Sequence, residues 1–308
     1  MENKFVTKSL KIKSLKHLSL RLGLSESYLE RVLEGVDFSY THRFIDKKPT
    51  GKRVISVPSQ KSLILTQKKV FRLLEGIEQS PYAYGSVRGG SVDYCLTPHI
   101  NKRYLYCADI KSFFRNIKHT QVYKVFLDKL LCSPDVSRVL TFLSTTNFSV
   151  PQGVSTSSAV ANLVLKDFDF TIADFCKSHG ATYSRYVDNL IISSNRPVRK
   201  VKAFLKGEVY KLGFRLKNNK VALFRSNDNF TILGRILKSK IGIPRSYRSN
   251  LRATLHNCVV NQPASENLKG KKDFRKSLES KIKLIKAFYP SEAERLFKIY
   301  LQINWDKT

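Results

Sequence analysis

Apolar residues recur along the chain in two periods, and the switches between them mark the elements. Leu15, Leu18 and Leu22, then Leu29, Val32 and Leu33, fall at helical spacing within residues 9–36, with Ser25 placed as an N-cap after Gly23-Leu24. Two helices meeting at a glycine are ordinary packing, and the stretch from Leu18 to Ser25 also fits the turn of a helix-turn-helix. Residues 52–58 alternate as a short strand, 62–78 return to helical spacing, and 103–110 read as a strand ending on an acid. Helices are expected over 120–131 and 136–145. One long helix is expected over 155–178, opening in a Ser/Thr cluster with Val160, Leu163, Val164, Phe168, Ile172 and Phe175 on its apolar face. Residues 181–194 predict strand, turn and strand, with the turn at Val187-Asp188-Asn189. A helix over 197–212, short strands near 214–224 and 230–243, and basic helices broken near Pro263 and Pro290 complete the chain.

The 308 residues are 42% apolar and 26% charged, enough hydrophobic material for a real core and too much for a disordered basic tail. No apolar run approaches the roughly 18 residues that cross a bilayer. The first residues, Met1 to Lys8, lack the apolar segment of a secretory signal, which predicts a cytoplasmic protein. Five scattered cysteines without Cys-x-x-Cys spacing argue for buried thiols over disulfides or zinc. Charge changes the picture most: 55 Lys and Arg against 24 Asp and Glu give a net +31. Such a chain repels itself, and a polyanion offsets that cost by counterion release. Nucleic acid is the expected partner, with a ribosome-like or membrane-surface role as the blander alternative.

Acids are scarce here, so an Asp ending an apolar strand needs a reason. Asp109 and Asp188 both sit that way. Each alone is most simply the cap of a turn. As a pair in a strongly basic chain they suggest a shared metal site, because two divalent cations about 3.5–4 Å apart clamp the attacking and leaving oxygens of phosphoryl transfer. Magnesium needs only one or two protein carboxylates, and the backbone carbonyl of Ile110 adds a further oxygen.

Three segments then occur in a telling order: Ala108-Asp109-Ile110-Lys111-Ser112-Phe113-Phe114, Pro151-Gln152-Gly153-Val154-Ser155, and Tyr186-Val187-Asp188-Asn189. They resemble the first-aspartate, Pro-Gln-Gly and Tyr-x-Asp-Asp motifs of the reverse transcriptase palm. Pro81 to Ser91, Leu212-Gly213-Phe214 with Lys220, and Ile243-Pro244-Arg245 to His256 resemble flanking segments of the retron-type enzymes. The resemblance runs from residue 52 to 256. Three departures stand out: Cys95 to His99 keeps only the His of Asn-Ala-x-x-His, Ile232-Leu233-Gly234 replaces Val-Thr-Gly, and Asn189 replaces the second Asp.

The resemblance to retron-type reverse transcriptases implies an α+β right-hand polymerase. An N-terminal helical extension would cover 1–50, fingers and palm with an antiparallel sheet 51–244, and a small helical RNA-binding thumb 245–308. It implies Mg²⁺ as cofactor, two ions per active site with Mn²⁺ as a substitute, held by Asp109, Ile110 and Asp188. Asn189 keeps an oxygen but brings no charge, so weaker metal binding with intact geometry is expected. By position, Phe114 is the steric gate against a ribose 2′-OH, or otherwise a core aromatic. Gln152 contacts the incoming nucleotide, Lys52 and Arg53 its triphosphate, and Lys220 the pyrophosphate leaving group. Arg245, Arg248, Arg252, Lys271 and Lys272, interleaved with Tyr247, Phe274 and Tyr289, suit structured RNA. The implied partners are dNTPs, a noncoding RNA that is template and primer through an internal 2′-OH, its DNA product, and an effector protein in antiphage defence, with no membrane. A non-retron defence or group II intron-like enzyme and a catalytically silent RNA-binding scaffold remain as alternatives.

Overall fold

The computed structural model describes residues 9–36, 39–46, 52–217, 222–225, 231–268, 270 and 272–305, with the side chains of 42, 45, 46, 52–54 and 222–225 left out. The chain divides into two compact units, Met1–Arg225 and Ser226–Thr308. No helix among the described residues is long and apolar enough to cross a membrane.

The first unit opens with α1 (Leu15–Leu22) and α2 (Glu26–Glu34), then an antiparallel hairpin of β1 (Tyr40–Asp46) and β2 (Lys52–Pro58). After α3 (Lys61–Glu75) and α4 (Val92–Leu96) come β3 (Tyr104–Asp109), α5 (Phe113–Asn116), α6 (His119–Lys124) and α7 (Pro134–Ser144). α8 (Ser157–Val164) and α9 (Lys166–Ser178) lead into β4 (Ala181–Tyr186) and β5 (Asn189–Ser194), followed by α10 (Arg199–Lys211) and β6 (Ala222–Arg225). Four of these strands form one antiparallel sheet in the order β4–β5–β3–β6. Central β3 buries Leu105, Tyr106 and Ala108, as a strand covered on both faces must. Helices mixed with small antiparallel sheets make the fold α+β.

The N-terminal helices belong to the same core as the sheet. Gly23 ends α1 at φ 58, the left-handed cap that glycine takes most readily, and Ser25 Oγ accepts the Tyr28 N–H at 3.2 Å to start α2. Leu18, Leu22, Leu29 and Val32 then pack with Leu63, Val70, Leu140 and Leu143. The outward face of α2 carries Glu26, Glu30 and Glu34 beside Arg31.

Three expected elements differ. The helix expected over 155–178 is broken at Leu165, whose φ −88 and ψ 4 leave the helical region; Lys129 Nζ takes up the Leu163 carbonyl at 3.2 Å. The helix expected over 120–131 shortens to α6 and one wide turn of π type at Val125–Lys129. Of the strand expected near 214–224, the described residues show an isolated bridge of Leu216 with Ile110 and then β6, with 218–221 outside them.

The second unit has a three-stranded sheet, β7 (Thr231–Ile232), β8 (Arg235–Leu237) and β9 (Ile241–Gly242), and helices α11 (Arg245–Val260), α12 (Phe274–Lys286) and α13 (Pro290–Leu301). Leu251, Leu255, Leu278, Ile282, Ile285 and Leu296 form its own core. The basic helices expected from residue 245 start at Arg245, and the small sheet before them groups with them.

Candidate active site

Asp109 is the last residue of β3 and is only 3% exposed. In the β3–β5 register it lies directly opposite Asn189, the first residue of β5, and opposed residues of an antiparallel pair share a face. Asp188, one residue earlier, accepts the Ile110 N–H on its carbonyl oxygen at 2.9 Å. Asp109, Ile110, Asp188 and Asn189, far apart in sequence, therefore meet at one end of the sheet. The Asp188 carboxylate accepts Asn189 Nδ2–H at 3.1 Å. The Asp109 carboxylate is ion-paired with the Lys217 ammonium, and the Lys217 N–H donates to the Asp109 carbonyl at 2.8 Å.

The hairpin turn is tighter than expected. Tyr186 pairs with Asn189, so the loop is Val187-Asp188 alone and Asn189 already lies in the strand. Such two-residue turns demand a positive φ at their first central residue, and Val187 supplies φ 57. A β-branched residue there costs about 1–3 kcal/mol and persists only where its surroundings hold it. The holding contacts are specific. Arg185, with no exposure, gives Nε and Nη2 to the carboxylate of buried Asp169 at 2.7 and 2.6 Å. Its Nη1 reaches Asn162 Oδ1 at 2.9 Å and the Val187 carbonyl at 3.1 Å. Asn162 in turn donates to the Gly85 carbonyl at 3.0 Å. The segment Tyr82–Gly85 runs along the outer edge of β4, where Arg185 N–H donates to Tyr82 O at 2.7 Å and Tyr84 N–H to Arg185 O at 2.9 Å. A Cβ on Gly85 would stand 2.6 Å from Val187 N, so only glycine lets this segment close on the turn.

His99 fastens the two hairpin strands from behind. Its ring nitrogens lie 2.7 Å from Ser193 Oγ on β5 and 2.7 Å from Ser184 Oγ on β4. Burial, with help from the Lys102 charge, pushes its pKa down to about 3, so the ring stays neutral and donates through one nitrogen while accepting at the other. The five cysteines are free thiols, four of them buried.

Around this centre, the reversal after β3 is made by Ser112 at φ 49. It sends Phe113 into the core, 6.0 Å from the Phe214 ring, and leaves Phe114 half-buried. The Gln152 carbonyl accepts the Ser56 N–H at 3.1 Å, which brings the Pro-Gln-Gly loop against β2. Gly153 allows that approach at φ 98, since a Cβ would fall 2.5 Å from Ile55 Cγ2. Lys52 and Arg53 share this strand, described in backbone only; Lys220 and Lys271 lie outside the described residues. In the second unit, Arg245 and Lys272 are exposed. Arg248 is engaged internally, paired with Glu292 and stacked 4.2 Å above the Tyr289 ring, and Arg252 also reaches Glu292 at 3.2 Å.

Residues 45–237, which include the whole sheet end just described, match the family described as reverse transcriptase (RNA-dependent DNA polymerase). The chain belongs to that family. Within it, the chain is 30% identical to the Retron Se72 reverse transcriptase of Salmonella heidelberg, over 78% of this chain and 65% of the relative. It is 26% identical to the Retron Ec86 reverse transcriptase of Escherichia coli, over 92% of this chain and 90% of the relative. It is 27% identical to the Retron Mx65 reverse transcriptase of Myxococcus xanthus, over 87% and 64%. The matched region thus spans less than two thirds of the Se72 and Mx65 chains, and the chain is of retron type by these likenesses.

The donor set of this reverse transcriptase palm fits magnesium. Two carboxylates and the Ile110 carbonyl are hard oxygens, and the Lys217 ammonium on Asp109 shows that this oxygen accepts a positive partner. Among the described residues no group of three or more His, Cys, Asp or Glu assembles to hold a metal, so other ligands would come from substrate phosphates and water. Sequence reasoning passed over Lys217, Arg185, Asp169 and Asn162. A signal existed for two of them: Asp169 stands next to Phe168, three residues before Ile172, on a largely apolar helix face that also buries Lys166, and Arg185 alternates with Tyr183 on an inward strand face.

Proposed function

We propose that the protein is an RNA-directed DNA polymerase of retron type, extending a primer hydroxyl with dNTPs on a structured noncoding RNA. The observation that carries this reading is the convergence of Asp109 and Asp188 at the end of the sheet, tied by the Ile110–Asp188 backbone bond. In phosphoryl transfer the protein supplies placement and charge compensation. Magnesium, when bound, would neutralise the phosphate charge and favour ionisation of the primer hydroxyl. Asp109 and Asp188 would hold it, with the Ile110 carbonyl. Gln152, against β2, orients the nucleotide, with Lys52 and Arg53 reaching its phosphates and Lys220 protonating the pyrophosphate. Phe114 closes the space beside the ribose 2′ carbon. Asn189 donates to Asp188 where a second Asp would repel it, which keeps the carboxylate in place at the cost of one negative charge. Arg245, Lys271 and Lys272 offer phosphate contacts to the RNA, while Arg248 and Arg252 also brace α11 against α13. Retention of the RNA–DNA product and an effector partner in phage defence complete the reading.

The test is to purify the chain from its host, sequence the nucleic acid it carries, and measure extension on that RNA. Branched RNA–DNA supports the retron reading, unbranched DNA a different priming mode, and RNA alone a silent scaffold. Asn189→Asp keeps or raises extension at low magnesium, whereas Asp188→Asn abolishes it; full activity in Asp188→Asn would refute the metal assignment.

A further inference from the structure

Each acid of the site already has a donor from the chain itself. Asn189 Nδ2 serves Asp188, and the Lys217 ammonium serves Asp109. The two carboxylates and the ammonium sum to a charge of −1, in a protein that is otherwise strongly positive. Lys217 is also tied to its partner by main chain, through its N–H on the Asp109 carbonyl at 2.8 Å. The Asp109 side chain is 4% exposed and that of Lys217 22%, so the ion pair is poorly screened on one side and open to solvent on the other. An ammonium and a divalent cation on the same buried carboxylate repel at contact distance in a medium far less screening than water. The two compete for the carboxylate, and the lysine, which sits on Oδ1, can yield because its flexible stem swings outward while the backbone bond stays made.

Resting on the polymerase reading above, we propose that Lys217 is a placeholder cation, a positioning residue that holds the Asp109 carboxylate in the metal-free protein and withdraws when the divalent ion binds. It thereby lowers the affinity of the site for metal and gives a buried acid a positive partner between turnovers. Two consequences are opposite in sign. Removing the ammonium tightens metal binding, and it also loosens the protein when metal is absent.

The experiment follows Mn²⁺ binding to the full chain, stripped of nucleic acid, by the electron paramagnetic resonance signal of free Mn²⁺. Lys217→Met is expected to bind Mn²⁺ about tenfold tighter than the parent, equivalent to about 1.4 kcal/mol. Lys217→Arg, which keeps the charge, is expected to bind as the parent does. In EDTA, Lys217→Met should melt below the parent, and saturating Mn²⁺ should close that gap. A second readout uses the unaltered protein: acylation of the Lys217 amine, quantified by mass spectrometry, should rise severalfold when Mg²⁺ is added. If Lys217→Met binds Mn²⁺ no tighter, or Lys217 labelling is unchanged by Mg²⁺ while Asp188→Asn still abolishes Mn²⁺ binding, the placeholder role is wrong and the metal site stands. If Asp188→Asn binds Mn²⁺ as the parent does, the metal site itself fails and the placeholder falls with it.

Discussion

Asp169→Asn is the most informative single change, because it probes the support of the site without touching its acids. Asp169 receives two hydrogen bonds from Arg185 and one from the Tyr183 hydroxyl at 2.8 Å, and neither member of the ion pair exposes its side chain. Burial alone would push the Arg185 pKa down, but the charge and hydrogen bonds of Asp169 more than offset it, and the guanidinium is held above its usual range. The same burial, with the Asp169 charge added, keeps the Tyr183 phenol well above its usual value. Neutralising Asp169 leaves a guanidinium buried without its counter-ion, a loss of about 3–5 kcal/mol that needs no discount for solvent screening. For a unit of this size each kcal/mol moves the melting temperature by about 2–4 °C, so a fall of roughly 6–20 °C is expected. Thermal unfolding followed by circular dichroism reads it. The double change Asp169→Leu with Arg185→Met removes both charges and should recover much of that stability. It should not recover extension activity, because the Arg185 bond to the Val187 carbonyl is gone with it. A melting temperature within about 2 °C of the parent for Asp169→Asn, or full activity in the double variant, would refute the clamp, since buried-pair loss is worth several kcal/mol.

Three further outcomes are expected. His99 has a folded pKa of about 3 against an ordinary 6.5, so the unfolded chain takes up its proton first as pH falls. Stability from this group is full above pH 6.5 and declines toward pH 3 by about 1.4 kcal/mol per unit; urea titrations at pH 7.5, 6.5, 5.5 and 4.5 should show little change over the first step and this slope below it in the parent, and lose it in His99→Gln. Gly85→Ala puts a methyl group 2.6 Å from the Val187 backbone, so the turn must shift; extension should drop at least about tenfold with far-ultraviolet dichroism unchanged, a misplacement effect. Phe114→Val should relax discrimination against ribonucleotides, and an unchanged deoxy-to-ribo preference in single-nucleotide incorporation would remove the gate role.

The sheet and its flanking helices were largely legible in the sequence, because β3, β4 and β5 alternate or run apolar and their ends are marked by Asp109 and by the Tyr-Val-Asp-Asn turn. That Asp109 and the Asp188-Asn189 turn meet at one sheet end follows from the order of the motifs, since nothing local to either segment encodes the other. What escaped was of two kinds. The break at Leu165 leaves the apolar spacing of α8 and α9 in phase, so periodicity cannot see it. The clamp of Arg185, Asp169 and Asn162 and the Lys217 pair depend on partners between 16 and 108 residues away, and a charged residue in a basic chain reads as surface until its partner is known. The turn differs from expectation at one position because turn chemistry favours Asp-Asn, whereas here tertiary contacts hold the positive φ on Val187.

Strand β3 lies at the heart of the sheet yet is the first of its strands to be synthesised. Both of its neighbours, β5 and β6, follow it by a long stretch of chain. While the ribosome is still making residues 110–188, a strongly apolar ribbon ending in Asp109 has neither lateral partner. Pairing over such separations is slow to form and leaves nascent strands prone to stick to one another. Folding yield in vivo should therefore depend on how promptly the segment from Ala181 to Arg225 emerges and docks. Any stall of translation between those points would hand the chain to chaperones.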